Sequence, residues 1–373
     1  MKIAVNLLPF RRNLTGTGVY AYNIIDALGK IDSENEYILF TNKENSCIFN
    51  FLFINFKVIV FPFYAQNIFA RIFWEQFIFP FYLKKYQVDL LFSPSVVLPV
   101  FSQCKNIICI HDLIPFHIKG KYTQLRSFYI KSMTRASARK AEKVLTVSLN
   151  SKKEIEKYCK IPGEKITVTY NGVSKEILNP SQNEWERFRI EKKIPEQYIL
   201  CVGTLEPGKN LITLIRSLKI LKDKNRISHK LVIAGGKGWL FESIFIEVEK
   251  QNLESDIVFT DYVPNDVLGL LYKNATVFIL PSHYEGFGIP ALEAMYFGTP
   301  VIVSNTSSLP EVIGTAGKFI DPYSEQNIAT VIGEVLSDAP LRQRMIEQGY
   351  QQAAKFSWQR SGQIIYDEFT KFN

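Results

Sequence analysis

Short apolar runs recur along the first half of the chain, separated by stretches with helical spacing. The runs at 3–8, 37–40, 57–61, 88–92, 106–110 and 143–147 predict β-strands, and helices are predicted to begin near Gly18, Asn67, Gln124 and Asn150. The second half repeats the pattern, with predicted strands at 198–202, 230–234, 256–259, 276–280 and 300–303. Strands that alternate with helices pair in parallel and are covered on both faces. Between the halves, Asn171-Gly172 and the polar stretch to Asn183 predict a turn and linker. A length of 373 residues fits two domains of ordinary size. The expected architecture is therefore α/β, with two Rossmann-like, doubly wound parallel sheets that bind ligands at the carboxyl ends of their strands.

The stretch from Pro281 to Glu293 carries the most chemistry. The apolar run before it predicts a strand that stops at Pro281, and Pro290 is expected to open a helix whose first turn holds Glu293. Gly286 and Gly288 let backbone approach a ligand closely, and the start of a helix attracts an anion such as a phosphate. A carboxylate one turn further in repels a phosphate but accepts hydrogen bonds from hydroxyls. Two glutamates flanking a phosphate cradle thus suit a diphosphate with a polyol on either side, as in a nucleotide sugar. The plainer alternative makes Glu293 an acid that complements the helix dipole and Glu285 a solvated loop residue.

The string Glu285-Gly-Phe-Gly-Ile-Pro-Ala-Leu-Glu293, followed by Gly298-Thr-Pro-Val-Ile, resembles the paired-glutamate motif of family 4 retaining glycosyltransferases. The resemblance runs through essentially the whole chain and implies the GT-B fold, in which two Rossmann-like domains face across a cleft. It implies an acceptor-binding domain at 1–170, a nucleotide-sugar-binding domain at 171–355, and a closing segment at 356–373 that returns to the first domain. It gives Glu285 the hydroxyls of the donor sugar and Glu293 the ribose. The diphosphate falls to the backbone of Gly286, Phe287, Gly288 and Ile289.

Four further pieces fit the same reading. Gly16-Thr17-Gly18 lies between the first strand and a helix, where small residues permit close approach to a phosphate. A dinucleotide-binding reading of that loop also needs an acid after the second strand, where Thr41-Asn42-Lys43 stands instead. His111 follows the predicted strand 106–110, which puts it on the ligand side, and the resemblance makes it the active-site histidine beside the donor sugar. Gly203, Thr204 and Lys209 match the family's phosphate loop. Lys209 is kept, to offset charge on the departing diphosphate, but Thr204 and Gly208 stand where the family often has arginine. One cation fewer implies either a weaker donor site or a substitute such as Lys237. Tyr262 and Val263 resemble the loop that receives the base through backbone atoms, which leaves the nucleotide open among GDP-, dTDP- and UDP-sugars.

Composition adds a partner. Residues 1–172 carry 23 Lys and Arg against 12 Asp and Glu, a balance of +11, whereas the remainder is at −3. No acid occurs between Asp112 and Glu142, where Lys119, Lys121, Arg126 and Lys140 accompany a row of Lys131, Arg135 and Arg139 at i, i+4, i+8. With the aromatic region 49–83, this basic row suggests an anionic lipid surface and a polyprenyl-diphosphate-linked saccharide acceptor rather than nucleic acid. A merely solvated basic face is the plain alternative. The apolar region is broken by Lys57, Pro62, Arg71 and Glu75, so no span is expected. Five scattered cysteines and the lack of a leader pattern after Met1 suit a reduced cytoplasmic protein, peripheral on the inner membrane. No cofactor is expected, and no metal either, since no Asp-x-Asp lies near the motif. The likeness is greatest to bacterial O-antigen mannosyl- and rhamnosyltransferases, and GDP-mannose is the first expectation for the donor. A phosphorylase or disaccharide synthase of the same fold, and a catalytically silent partner in polysaccharide assembly, are the rival readings.

Overall fold

The apolar runs of the first half pair side by side in a single parallel sheet. A computed structural model of the chain describes all residues but 13, 15, 118, 119, 121, 122, 175, 176, 178–180, 225, 226 and 373. Its first seven strands are β1 (Lys2–Asn6), β2 (Glu36–Asn42), β3 (Phe56–Phe61), β4 (Leu90–Ser93), β5 (Lys105–Cys109), β6 (Lys143–Thr146) and β7 (Ile166–Val168). They lie in the order β3-β2-β1-β4-β5-β6-β7. The next six are β8 (Tyr198–Val202), β9 (Lys230–Ala234), β10 (Ile257–Phe259), β11 (Val277–Leu280), β12 (Val301–Ser304) and β13 (Lys318–Ile320), ordered β10-β9-β8-β11-β12-β13. Every pairing is parallel. Central strands are sealed on both faces: Ile3, Ala4, Val5 and likewise Val277, Phe278 and Ile279 are fully buried.

The chain forms two compact units, Met1–Asn171 with Ser357–Asn373, and Gly172–Phe356. Residues 175, 176 and 178–180 of the linker expected after Asn171 lie outside the described residues. In the first unit the helix Trp358–Thr370 packs on the helix Gly16–Ile31. A Cβ on Gly362 would lie 2.8 Å from that of Ala27, so glycine is what lets the two helices approach. Thr167 donates to Glu368 at 2.7 Å, and the rings of Phe92 and Phe369 meet edge-on at 5.4 Å.

Strands β7 and β13 were not anticipated. Each has three residues at a sheet edge, partly exposed, and so lacks a long apolar run. The helix expected near Asn67 is capped by that side chain, which accepts from Ala70 N–H. It continues as Ile68–Phe73, a π turn Trp74–Ile78 and Phe79–Lys85. Pro80 has no N–H to bond back along the helix and its ring crowds the preceding turn. The chain widens just before it, with Phe79 N–H reaching Trp74 C=O. No helix among the described residues is long and apolar enough to cross a membrane.

Candidate active site

In the second sheet the strand order reverses between β8 and β11, and ligands of doubly wound sheets bind at that point, beyond the carboxyl ends of the strands. The loops leaving those two strands carry Lys209 and Glu285. The Lys209 ammonium lies 2.6 Å from Glu285 Oε1, and the hydroxyl of Ser282 donates to the same oxygen at 2.6 Å. Burial pulls the Lys209 pKa down, but the Glu285 carboxylate outweighs that and holds it above the usual lysine range. Lys209 closes a 3₁₀ turn, Pro207–Lys209, two residues before the helix Leu211–Asp223. Asn210 fixes this loop from a left-handed conformation, with its amide donating to the carbonyls of Pro281 and Pro322. Neighbouring loops are joined through backbone: His283 N–H donates to Gly208, Leu205 to Gly236 and Gly235 to Asp261. The carboxyl ends of β11, β8, β9 and β10 therefore share one bonded rim that holds Glu285, Gly203, Thr204, Lys209, Tyr262 and Val263. Val263 is buried and Tyr262 is exposed.

The helix after β11 runs Ile289–Tyr296, with Gly288 as its cap at φ +96°. A Cβ on Gly288 would approach Leu309 to 2.6 Å, so both conformation and space require glycine. Pro290 is thus the second helical residue, and Glu293 stands in the second turn, not the first as expected. No acid occupies the first turn. A dipole role decays within one turn and does not account for Glu293. Its side chain is buried and accepts from the Tyr272 hydroxyl at 2.8 Å. Burial raises its pKa to about 7, against the lowering effect of that bond. Tyr272 is anchored in turn, since its carbonyl accepts from Thr299. Glu285 is buried as well: its N–H donates to Ser307, and its carbonyl accepts from Ser308. Neither glutamate is a solvated surface acid. Gly286, Phe287 and Gly288 between them are buried and Ile289 partly so.

The first unit has the same reversal, between β1 and β4. His111 follows β5 there, and its Nε2 is 3.0 Å from the carbonyl of Pro94, just beyond β4. A carbonyl only accepts, so Nε2 carries the proton and Nδ1 is the acceptor. Burial pulls the His111 pKa to about 4, so the ring is neutral near pH 7. Tyr20 stands edge-on to it at 4.7 Å. Tyr20 belongs to the helix Gly16–Ile31, which starts at the small-residue loop itself; Gly16 and Thr17 are exposed and Gly18 is buried against Leu14.

The family model described as "Glycosyl transferases group 1" matches residues 182–352, and "Glycosyltransferase Family 4" matches 14–176. O-antigen chain mannosyltransferase B of Escherichia coli is 30% identical over 376 residues, spanning 96% of this chain and 97% of its own. This chain is a family 4 glycosyltransferase. The O-antigen chain mannosyltransferase RfbU of Salmonella typhimurium is 32% identical over 228 residues, 61% of this chain and 60% of its own. Among solved structures, Anabaena HepE in complex with UDP and glucose superimposes with a TM-score of 0.77 at 16% identity, covering 100% of both chains. The two parallel sheets of this glycosyltransferase are those of the GT-B fold.

A further feature of the glycosyltransferase differs from the sequence reading. The row Lys131, Arg135, Arg139 is not a free basic face. Arg135 and Arg139 donate to the carbonyls of Tyr158 and Cys159 at the end of a neighbouring helix, and both Lys131 and Arg135 lie over the ring of Phe116. Its members secure the helix Gln124–Lys140 to its own unit. Lys119 and Lys121 lie outside the described residues. Lys237 comes beside the loop that follows β8, pairing with Leu205, and its ammonium lies over the rings of Phe241 and Phe245. Sequence reasoning missed Ser282, Tyr272, Ser307 and Ser308. Only Ser282, inside the motif, left a local signal; the others reach the glutamates from distant parts of the chain.

Proposed function

We propose that this glycosyltransferase moves mannose from GDP-mannose, with retention, to a hydroxyl of a lipid-linked saccharide in surface-polysaccharide synthesis. The observation that carries the donor half is the pair of buried glutamates flanking a glycine-capped helix start, with Lys209 on the first of them. The choice of mannose follows the two O-antigen mannosyltransferases that the chain resembles. Glu285 holds hydroxyls of the donor sugar and Glu293 the ribose. Backbone from Gly286 to Ile289 and around Gly203 and Thr204 receives the diphosphate. Backbone near Tyr262 and Val263 meets the base. The second unit is then the donor domain and the first the acceptor domain.

In the reaction the bond from the sugar's anomeric carbon to the diphosphate oxygen breaks, and the acceptor oxygen bonds that carbon from the same face. The acceptor proton passes to the departing phosphate oxygen. Lys209 offsets the charge that develops there, which is worth most where water is excluded. His111, neutral, can act by hydrogen bonding but not by charge. The acceptor is a polyprenyl-diphosphate saccharide at the cytoplasmic face of the inner membrane. A panel of GDP-, dTDP- and UDP-sugars, followed by product analysis, tests the reading. GDP-mannose should be bound and turned over fastest. Preference for a UDP- or dTDP-sugar overturns the donor assignment, and equal transfer to a soluble sugar or phosphate overturns the acceptor.

A further inference from the structure

The helical stretch Ile68–Phe73, Trp74–Ile78, Phe79–Lys85 puts two opposite surfaces to use. Its inner face is pinned by polar clamps. Glu75 accepts from Asn6 at the end of β1, and Gln76 bonds both Leu98 C=O and Val100 N–H. Phe79 and Leu83 continue that buried face. The outer face carries Phe69, Phe73, Phe77 and Phe81, one every fourth residue, with exposures of 87, 53, 59 and 67%. In an unbroken α-helix of 3.6 residues per turn, such a row drifts around the axis. The π turn, bonded i to i+5, absorbs the surplus residue and brings the row back. The ladder widens sideways to Phe101, whose ring is 6.3 Å from that of Phe77.

A row of solvent-facing phenylalanines costs solubility and marks a contact surface. Its charge surroundings select the partner. The only acid between Ile68 and Lys85 is Glu75, which is buried, while Lys84 and Lys85 are exposed. Aromatic rings with cations, and no exposed acid within the helical stretch itself, fit the headgroup–acyl boundary of an anionic bilayer, where such a helix lies in the plane of the surface.

We propose that the ladder Phe69, Phe73, Phe77, Phe81 is the membrane-docking surface of this glycosyltransferase, in place of the basic row on the neighbouring helix. This deepens the lipid-linked acceptor reading and rests on it only for its biological purpose. The test is flotation with vesicles of equal parts phosphatidylcholine and phosphatidylglycerol, without donor or acceptor. Wild type should float with them, and the double variant Phe73→Ser, Phe77→Ser should partition at least ten-fold more weakly. Both side chains are exposed, so unchanged circular dichroism and thermal unfolding, and unchanged donor hydrolysis in solution, should accompany that loss. Equal flotation of variant and wild type, or no flotation of wild type, overturns the proposal. So does a wild-type dimer that the substitutions convert to monomer with no change in vesicle binding. Donor turnover is measured without lipid, so failure of the donor reading and failure of the docking surface give separate results.

Discussion

The ammonium of Lys209 lies 2.6 Å from Oε1 of Glu285, joining the loops that leave β8 and β11. In the proposed reaction one partner faces the diphosphate and the other the sugar, so the pair sets the spacing between the two ends of the bond that breaks. Lys209→Ala should lower kcat by about 10²- to 10³-fold, the size expected for loss of a charge that stabilises a leaving group. Each single substitution also strands the other charge in a buried setting. The double variant Lys209→Ala, Glu285→Gln should therefore lose less than the product of the single losses. Strictly multiplicative losses in steady-state kinetics would mean that the two act apart.

Glu293 is predicted to make donor binding depend on pH. Its pKa is raised by burial to about 7, and the ionised form is the better acceptor for ribose hydroxyls. Affinity for a nucleoside diphosphate should rise between about pH 6 and pH 8, with a proton released on binding. The sign for stability is opposite. A carboxyl raised on folding contributes stability that is full below its unfolded value of 4.5 and is lost as pH rises to about 7, so the unliganded protein should soften over that lower interval and level off above it. Tyr272→Phe removes the bond that lowers this pKa, and should move the affinity profile to higher pH. Glu293→Gln should flatten it. Calorimetric titrations at several pH values check all three.

Much of this was legible in the chain, for physical reasons that differ by element. The central strands of both sheets were readable because both faces are covered and the apolar runs are unbroken, as at Val277 to Leu280. The three-residue edges β7 and β13 gave no such run. Within the site, Glu285 and Glu293 could be found because their helix and loop are contiguous in sequence. Tyr272 and Ser307, which hold them, come from other elements and have no local pattern. The basic row misled because spacing identifies a helix face but not what lies against it. Here that neighbour is the end of the helix Leu149–Cys159.

Replacing Lys131, Arg135 and Arg139 together by glutamine should destabilise the first unit, at about 1 kcal/mol for each lost hydrogen bond to Tyr158 and Cys159. Vesicle binding should hardly change. Denaturant unfolding and flotation of the same sample decide the matter; full stability with lost binding would restore the row as a lipid contact.

Gly288→Ala should cost about 1–3 kcal/mol, the range for a non-glycine residue held in a disfavoured conformation, because φ is +96° and Leu309 stands in the way. Since Gly288 caps the helix that carries Glu293, donor affinity should fall along with thermal stability. Unaltered thermal unfolding would show that the loop relaxes without strain.

The most direct test of the account is a kinetic comparison of Glu285→Gln and Glu293→Ala with the donor that the wild-type protein prefers. Glu285 is assigned to the reacting sugar, so its loss should reduce kcat by about 10²-fold with the fold intact. Glu293 is assigned to the ribose, a contact alike in ground and transition states, so its loss should raise KM more than it lowers kcat. Wild-type kcat in the first variant, together with wild-type nucleotide affinity in the second, would contradict the assignment of this site to the donor.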